Sequence, residues 1–493
     1  MKCLVIATMF AVTLPAGAAL SKPVYDLELA GEPPFRRLFL DAMVVEESYG
    51  LERVFHQAEK YRDNPIIRKD KHWEDWGPYL YGTVMWDDGK LKMWYQAIGN
   101  QYGPIRGIVG YAESHDGIHW VKPSLGIFEY QGSRENNIVE TNENFHIPSV
   151  FKISPSSWIM YGYGRDIGPH LAYSNDGLRW TGSTDKPLFE SSDVVNFFYD
   201  PYDARWVAMY KTVNRRHRAV GVAFSEDGIT WRKPIESAVF GADDLDPDAT
   251  QIYGMPVFPY QGMYIGLPWI YHARYIKYGR YDSPKVMYEA QEGSPCTTDV
   301  QLAWSWDLIC WTRTSKREPF ISLGKEGDFD SKQIYTARAP VIVGDRLYFY
   351  YGGYDKTHDD YENTHAAIGL ATLRLDGFCS MHAGDKEGWL ISRREVFRTP
   401  KVIINASVGK GGYVSAEILD RHNRVIPGFS RNECVPFKGD SVRHVLQWNT
   451  KSFPNEVANA DKKIRFFLKN ADLYSYLPTD IDTTRDWENR KLH

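Results

Sequence analysis

Three carboxylates precede strand-like segments and have the chemistry of acid–base catalysts. Glu74 lies ahead of PYLYGTVMW, Asp193 ahead of VVNFFYD and Asp248 ahead of TQIYG. Two carboxyl groups, one protonated and one ionised, hydrolyse an acetal bond held between them. The three are therefore the candidate catalytic residues. We expect Asp193 to be the general acid, Glu74 the base or nucleophile, and Asp248 the group that orients substrate or tunes the acid.

A second set of residues near the same segments has side chains suited to substrate binding. Aromatic rings offer apolar faces with polar tips, and arginine can bind a carboxylate or sulfate group. For His146 a hydrogen-bonded scaffold role competes with substrate binding, and core packing competes for the aromatic residues. No metal-ligand spacing is present. The candidate substrate-binding residues are Trp73, His146, Tyr253, Arg274, Tyr335 and Arg338.

One short motif, S-x-D-G-x-x-W, recurs along the chain and indicates the elements that position these residues. It is complete at 114–120, 174–180 and 225–231, and a worn copy, SWDLICW, occupies 305–311. A strand-like run precedes each copy, and Asp-Gly is typical of a tight hairpin turn. We therefore expect Asp116, Asp176 and Asp227 to be turn residues and not catalytic ones.

The repeats predict an all-β fold, a five-bladed β-propeller followed by a C-terminal β-sandwich. Five units of about four strands each can be counted, at the spacing typical of propeller blades. The strand-like stretch from Leu38 to Glu47 is expected to close the ring by joining the last blade. The expected boundaries are a signal peptide at 1–18, the propeller at 19–388, the sandwich at 389–480 and a tail at 481–493.

Composition and the N-terminus indicate an exported protein without nucleic-acid or membrane partners. The chain has 493 residues, of which 43% are hydrophobic and 14% aromatic. Its formal net charge is -5, so it lacks the excess of basic residues that is typical of nucleic-acid-binding proteins. The start, MKCLVIATMFAVTLPAGAAL, has the pattern of a secretory signal peptide and predicts a secreted or periplasmic protein. We expect no membrane insertion, and free thiols at Cys296, Cys310, Cys379 and Cys434.

These motifs resemble known glycoside hydrolases. The hairpins look like a shortened Asp-box, and a propeller followed by a sandwich resembles glycoside hydrolase family 32, while the propeller alone resembles family 43. The segments RRLFLD, HWE, LRLDGF and IPGFS are similar to a group of exported bacterial proteins described as family 32-like. The family 32 block W-M-N-D-P-N-G is absent, and His146 occupies the place of the family 43 tuning aspartate. The resemblance implies a carbohydrate substrate and no cofactor, and it leaves open a calcium ion on the axis.

Two functions follow from these expectations. The first is an exported glycoside hydrolase, exo-acting on a poly- or oligosaccharide through paired carboxylates in the propeller funnel. The second is a carbohydrate-binding propeller that does not hydrolyse its ligand. A shared pocket with Glu74, Asp193 and Asp248 about 5 to 10 Å apart would favour hydrolysis, and dispersal of the three would favour binding alone.

Overall fold

The regular secondary structure of the described residues is almost entirely β-strand, which confirms the all-β prediction. Its helical segments include Ala42–Val44, Arg431–Glu433 and Asn455–Ala458. Among the described residues, no helix is long and apolar enough to cross a membrane. The predicted signal peptide and tail lie outside the described residues. The computed structural model describes residues 20–23, 29–97, 108–141, 145–164, 167–182, 186–214, 217–278, 287–290, 295–358, 360 and 364–479.

The first three predicted units each form a sheet that is antiparallel except for the short strand Glu140–Thr141 of unit 2, which pairs in parallel with Arg179 and Trp180. The alternation of small and aromatic residues along the strands lets both faces be covered, and most of these residues are buried. Unit 1 consists of Pro78–Asp87, Lys90–Ala97 and Ile108–Ser114. Unit 2 consists of Glu140–Thr141, His146–Ser154, Ser157–Gly164, Gly168–Ser174 and Arg179–Gly182. Unit 3 consists of Val195–Asp200, Arg205–Val213 and Arg218–Ser225.

The fourth and fifth units are joined by strand pairing. Thr298 of unit 4 pairs in parallel with Gln333 of unit 5. The hairpin Tyr275–Tyr278 with Met287–Ala290 stands apart as a two-stranded sheet. Unit 4 consists of Thr250–Gly254, Val257–Tyr260, Met263–Gly266, Trp269–His272, Thr298–Val300, Ala303–Ser305 and Trp311–Arg313. Unit 5 consists of Gln333–Thr336, Val341–Val343, Arg346–Tyr354 and Ala366–Arg374.

Each S-x-D-G-x-x-W segment is a hairpin with the same internal hydrogen bonds. In the second copy Gly177 N donates to Ser174 Oγ at 2.9 Å, and the amides of Leu178 and Arg179 both donate to Asp176 Oδ1 at 2.8 Å. Trp180 Nε1 closes the turn on the Gly177 carbonyl at 3.1 Å. Because the Asp176 carboxylate accepts hydrogen bonds from backbone amides of the same turn, its predicted structural role is confirmed.

The other copies repeat this geometry with different tryptophan burial. Trp180 is buried, whereas Trp120 and Trp231 are half-buried. In the worn copy Leu308 replaces the glycine at a φ of 68°, where a side chain is normally disfavoured. Its side chain is completely buried in the core between units 3 and 4, which accounts for the exception.

The hairpins also join neighbouring units, and the contacts return from the last unit to the first. Tyr350 OH of unit 5 donates to the Gly117 carbonyl of unit 1 at 2.8 Å. Trp94 Nε1 of unit 1 donates to Gly177 O at 2.8 Å, and Tyr161 OH of unit 2 donates to Gly228 O at 2.8 Å. The first strands of units 1, 2 and 3 also contact one another in succession, and that of unit 1 contacts unit 5.

The N-terminal segment does not close the ring as predicted. Val45–Tyr49 pairs with Gly388–Ser392 of the C-terminal sheet. The strand added to unit 5 is Glu59–Lys60, which pairs with Ala371 and Thr372. The expectation that the stretch from Leu38 to Glu47 joins the last blade is therefore wrong.

Long antiparallel strands form the C-terminal sheet. Val402–Asp420 pairs with Asp461–Pro478 along nearly its whole length, with a break in register between Val408 and Tyr413 where the sequence is GKGG. Cys296, Cys310, Cys379 and Cys434 are not in disulfide bonds, and Cys310 is exposed while the other three are buried. The sheet consists of Arg37–Leu38, Val45–Tyr49, Glu52–Phe55, Cys379–Ala383, Gly388–Ser392, Glu395–Val396, Val402–Asp420, Asp440–Leu446 and Asp461–Pro478.

Candidate functional site

Five tyrosines from three different units meet in one group, here called the tyrosine cluster. Ring centroids lie 4.9 Å apart for Tyr81 and Tyr335, 5.4 Å for Tyr253 and Tyr335, and 5.8 Å for Tyr335 and Tyr354. Tyr79 joins through Tyr354 at 5.6 Å. Tyr79 and Tyr81 come from unit 1, Tyr253 from unit 4, and the other two from unit 5, so the first strands converge at this point.

Strand register explains why side chains of units 4 and 5 share one face. Residues directly opposite each other on paired strands point to the same side of a sheet. Five strands in succession place a residue in one such row, which continues from unit 4 into unit 5. The row consists of Gln251, Tyr271, Thr298, Gln333 and Tyr354.

Burial keeps the phenols of the cluster protonated. It raises the pKa of Tyr81 and Tyr354 well above the ordinary phenol value, and neighbouring tyrosines add to the effect. Tyr335 OH donates to Gln333 Oε1 at 2.7 Å. The cluster can therefore offer hydrogen-bond donors and apolar ring faces at neutral pH, but no phenolate base.

His146 belongs to this site, and its backbone is fixed by a neighbouring unit. Its ring lies 5.3 Å from that of Tyr81. The Gln96 side chain donates to the Phe145 carbonyl at 3.1 Å and accepts from Ile147 N at 2.9 Å. Ile147 has a φ of 60°, a strained value for a β-branched residue that persists only where the surroundings impose it. The strain therefore marks His146 as a positioned side chain.

Asp193 lies at the same site as half of an ion pair with Lys211. Partial burial by itself would raise the pKa of Asp193, but attraction and hydrogen bonding to the Lys211 ammonium, with a smaller contribution from His146, lower it to about 2. The Asp193 side chain is 47% exposed, while that of Lys211 is 6% exposed. Asp193 is thus an accessible carboxylate that stays ionised at neutral pH.

A second cation from unit 3 faces the tyrosines. Lys211 Nζ lies 4.5 Å from the centre of the Tyr253 ring, and the Arg218 guanidinium lies 5.6 Å from the rings of Tyr253 and Tyr271. Arg218 Nη1 donates to Gln251 Oε1 at 3.1 Å. Burial lowers the pKa of Lys211, attraction to Asp193 opposes this, and Arg218 lowers it further.

Glu74, the predicted base, lies elsewhere and has its lone pairs occupied. Its side chain is 0% exposed and forms an ion pair with Lys122 at 2.6 Å. It also accepts from Tyr95 OH at 2.7 Å and from the amides of Asp70 and Lys71 at 3.1 and 3.3 Å. A carboxylate has about four acceptor positions. This is the arrangement of a structural carboxylate, and it argues against the predicted catalytic role.

The third predicted carboxylate and one predicted arginine lie at the surface. Asp248 is exposed and has no hydrogen bond, ion pair or ring contact with another described residue. Arg274 is also exposed. By contrast, Asp246 is buried in a bidentate pair with Arg313, at 2.6 and 2.9 Å. The structure does not join Asp248 to the tyrosine cluster through any such contact.

Two predicted substrate-binding residues occupy positions within the packed scaffold. Trp73 is buried, and its Nε1 donates to Asn137 Oδ1 at 3.0 Å. Arg338 is buried too, and its guanidinium lies 4.2 Å from the centre of the Phe151 ring. The predicted set brought together at the cluster is therefore Asp193, His146, Tyr253 and Tyr335.

Sequence reasoning missed Lys211, Arg218 and the tyrosines of unit 1. Lys211 follows an unbroken apolar run, RWVAMYK, near the end of its strand. A charge in that position is a signal, because buried charges are usually paired with an opposite charge. Tyr79 and Tyr81 sit at alternate positions of YLYGTV, which places both on one face.

The donor set of the tyrosine cluster does not fit calcium. Calcium takes six to eight oxygen ligands, commonly from several carboxylates. Here the Asp193 carboxylate is paired with Lys211, Arg218 adds a second positive charge, and the remaining oxygens are phenols. Among the described residues, no group of three or more His, Cys, Asp or Glu side chains could hold a metal ion.

Comparison with known proteins finds only distant structural likeness. No family model and no curated protein matches the chain. A glycosyl hydrolase from Bacteroides ovatus is similar with a TM-score of 0.46 at 16% identity, over 65% of this chain and 94% of that chain. A structure from a study of family 130 mannoside phosphorylases, which contain glycoside hydrolases that target β-1,2-mannosidic linkages in Candida mannan, has a TM-score of 0.44 at 17% identity, over 65% and 94%. The family 32 β-fructofuranosidase of Bombyx mori has a TM-score of 0.39 at 12% identity, over 86% and 93%.

Proposed function

We propose that this protein is a glycoside hydrolase whose substrate binds at the tyrosine cluster. The observation that carries the proposal is the meeting of an ionised, half-exposed carboxylate, Asp193, with aromatic and cationic side chains from separate sheet units. Aromatic faces suit the C–H surface of a sugar, and the carboxylate suits acid–base chemistry at its anomeric centre. The substrate is a poly- or oligosaccharide.

The same proposal includes the architecture of five blades in a closed ring, followed by a β-sandwich. Its support is the series of contacts that runs from unit 1 to unit 5 and returns through Tyr350 and Gly117. The paired long strands of the C-terminal sheet suit one face of a sandwich. A ring of this kind closes its funnel at one end, which favours exo action on terminal sugars.

The roles of the residues follow from their charges. Asp193 is the base or nucleophile rather than the acid, because a group with a pKa of about 2 holds no proton at neutral pH. His146 contributes to the lowered pKa of Asp193 and is the proton donor. Lys211 keeps the Asp193 carboxylate ionised. Asp248 is exposed and makes no described contact with the tyrosine cluster, so it has no role in this proposal.

Export is part of the proposal and rests on the N-terminal sequence. The apolar run from Cys3 to Leu14 and the following Ala16-Gly17-Ala18 suit a secretory signal peptide. An enzyme that degrades polysaccharide outside the cell or in the periplasm would need such a signal. Expression of the full chain, with N-terminal sequencing of the secreted product, tests it.

The activity is tested by turnover on a panel of plant and algal oligosaccharides. We expect wild-type protein to release a terminal sugar from at least one of them, and Asp193→Asn to lower turnover at least about a hundredfold. Asp203→Asn is the matched control, because Asp203 is in the same unit, is 58% exposed and pairs only with Arg205 among described residues. Full activity of Asp193→Asn would refute the assignment. Glu74 and Asp248 do not join Asp193 at the cluster, which supports the non-catalytic alternative, and binding of a panel sugar without cleavage by wild type would favour it further.

A further inference from the structure

A separate cavity lies between the outer strands of units 3 and 4. It has a volume of about 340 Å³, within the range of small-molecule sites, and shares no lining residue with the tyrosine cluster. Its walls come from the segment after unit 3 and from the strand that follows the worn hairpin. The residues that matter for recognition are Phe240, Asp243, Leu245, Trp311, Arg313 and Arg317.

One wall of this cavity is apolar and aromatic. The rings of Phe240 and Trp311 meet edge to face with centroids 6.2 Å apart. Leu245 is 63% exposed beside them. Trp180, at the equivalent hairpin position of unit 2, is only 3% exposed, so the tryptophan of the worn copy is more accessible than that counterpart. An aromatic face next to an exposed leucine suits a ligand with an apolar side.

The other wall carries two arginines, each paired with an aspartate. Asp246 and Gln301 accept from the terminal nitrogens of Arg313, whose side chain is 3% exposed. Asp243 accepts from Arg317. The side chains of Arg317 and Asp243 are 14% and 50% exposed, so part of a guanidinium group and a carboxylate are accessible to a ligand in the cavity.

The charges of this wall decide the ligand class. Arg313 and Arg317 are balanced by Asp243 and Asp246, so an anion would gain little net attraction. Hydroxyl groups of a ligand can accept from Arg317 and donate to Asp243, while a C–H face of the same ligand covers the aromatic wall. We propose that this cavity binds a neutral sugar unit. The proposal does not rest on hydrolysis at the tyrosine cluster.

The test compares binding of neutral and anionic probes in a background without Asp193. Asp193→Asn protein is titrated with cellotriose, mannotriose and xylotriose, and with trigalacturonate and sulfate, by calorimetry. We expect one neutral trisaccharide to show a binding event that Arg317→Gln and Leu245→Asp each weaken at least about tenfold. Arg179→Gln, at an exposed hairpin arginine of unit 2, should leave that event unchanged.

Several outcomes would overturn this inference. Equal binding by Arg317→Gln, stronger binding of trigalacturonate or sulfate than of every neutral trisaccharide, or no event dependent on Arg317 with any probe each contradicts it. Leu245→Asp covers the case in which Arg317→Gln fails to fold, because Leu245 is mostly exposed. Hydrolysis at the tyrosine cluster is measured separately in wild type, so failure of one proposal leaves the other standing.

Discussion

The charge state of Asp193 determines what chemistry the candidate site can do. The sequence predicted that Asp193 and Tyr253 share a site, and in the structure both contact Lys211. Glu74 was also predicted to belong to that site but lies elsewhere. Its partner Lys122 lies 48 residues further along the chain, and no local pattern indicates that contact. The sequence thus predicts where a carboxylate lies relative to a strand. It does not predict the charged partner that determines the protonation state of that carboxylate.

Replacing Lys211 by Met should move the acid limb of the pH–activity profile to higher pH. Lys211 lowers the pKa of Asp193, whereas partial burial raises it. If the pKa of Asp193 rises, its carboxylate becomes protonated at a higher pH than in the wild type. We expect the acid limb of kcat/KM to shift upward by about one pH unit or more. Lys233→Met, a cation over Tyr210 in the same unit, should leave the limb in place, and an unmoved limb in Lys211→Met would contradict the assignment.

Glu74→Gln should cost stability rather than chemistry. The change leaves the Lys122 ammonium, 7% exposed, with only the half-exposed Asp70 as its counter-charge. Removing one partner of a buried pair costs about 3 kcal/mol or more in the free energy of unfolding. Denaturant unfolding measures it, with Glu140→Gln, at an exposed carboxylate, as the unaffected control. Unchanged stability together with a loss of turnover would show that Glu74 takes part in catalysis.

At the scale of elements, the hairpins were predictable and the closing strand was not. The hydrogen bonds of S-x-D-G-x-x-W are local, so four copies of the motif specify four turns of the same geometry. Which N-terminal strand pairs with which sheet depends on edges that form only in the folded chain. Glu59–Lys60 is too short to read as a strand, and Val45–Tyr49 has no pattern that identifies its partner sheet.

Leu308→Gly should destabilise the worn hairpin although it relaxes the backbone. A left-handed φ of 68° costs a leucine about 1 to 2 kcal/mol. Truncating a fully buried leucine costs about 3 to 5 kcal/mol, so loss of packing outweighs the relief. Thermal unfolding should show a net loss of about 2 kcal/mol, while Leu245→Ala, at an exposed leucine, changes little. A more stable Leu308→Gly protein would mean that the side chain is not needed there.

At the scale of the whole molecule, one buried carboxylate joins parts that are distant in sequence. Asp376 accepts from Arg36 at 2.6 Å, from Tyr260 at 2.7 Å and from Ser475 at 2.7 Å. These residues belong to the N-terminal segment, unit 4 and the C-terminal sheet. Composition and periodicity predicted the all-β class, but a junction of this kind involves contacts across hundreds of residues and leaves no periodic signal.

Asp376→Asn should weaken the coupling between the repeated units and the C-terminal sheet. The Arg36 guanidinium would lose its counter-charge in a nearly closed environment, at a cost of about 3 to 5 kcal/mol. Attraction to Arg36 lowers the pKa of Asp376 against the effect of burial, so this contribution is present at neutral pH and is lost as the pH falls below the ordinary range. Calorimetry should show one transition in wild type and a broader or divided one in the variant. Identical transitions would contradict the coupling.

The most direct test of the central claim is a crystal structure of Asp193→Asn protein with an oligosaccharide that wild type cleaves. The account predicts a terminal sugar ring against Tyr253 and Tyr335, with its anomeric carbon beside residue 193 and His146 within reach of the glycosidic oxygen. A sugar bound only at the cavity lined by Trp311, or with its glycosidic bond beside Glu74, would contradict the claim that the tyrosine cluster is the active site.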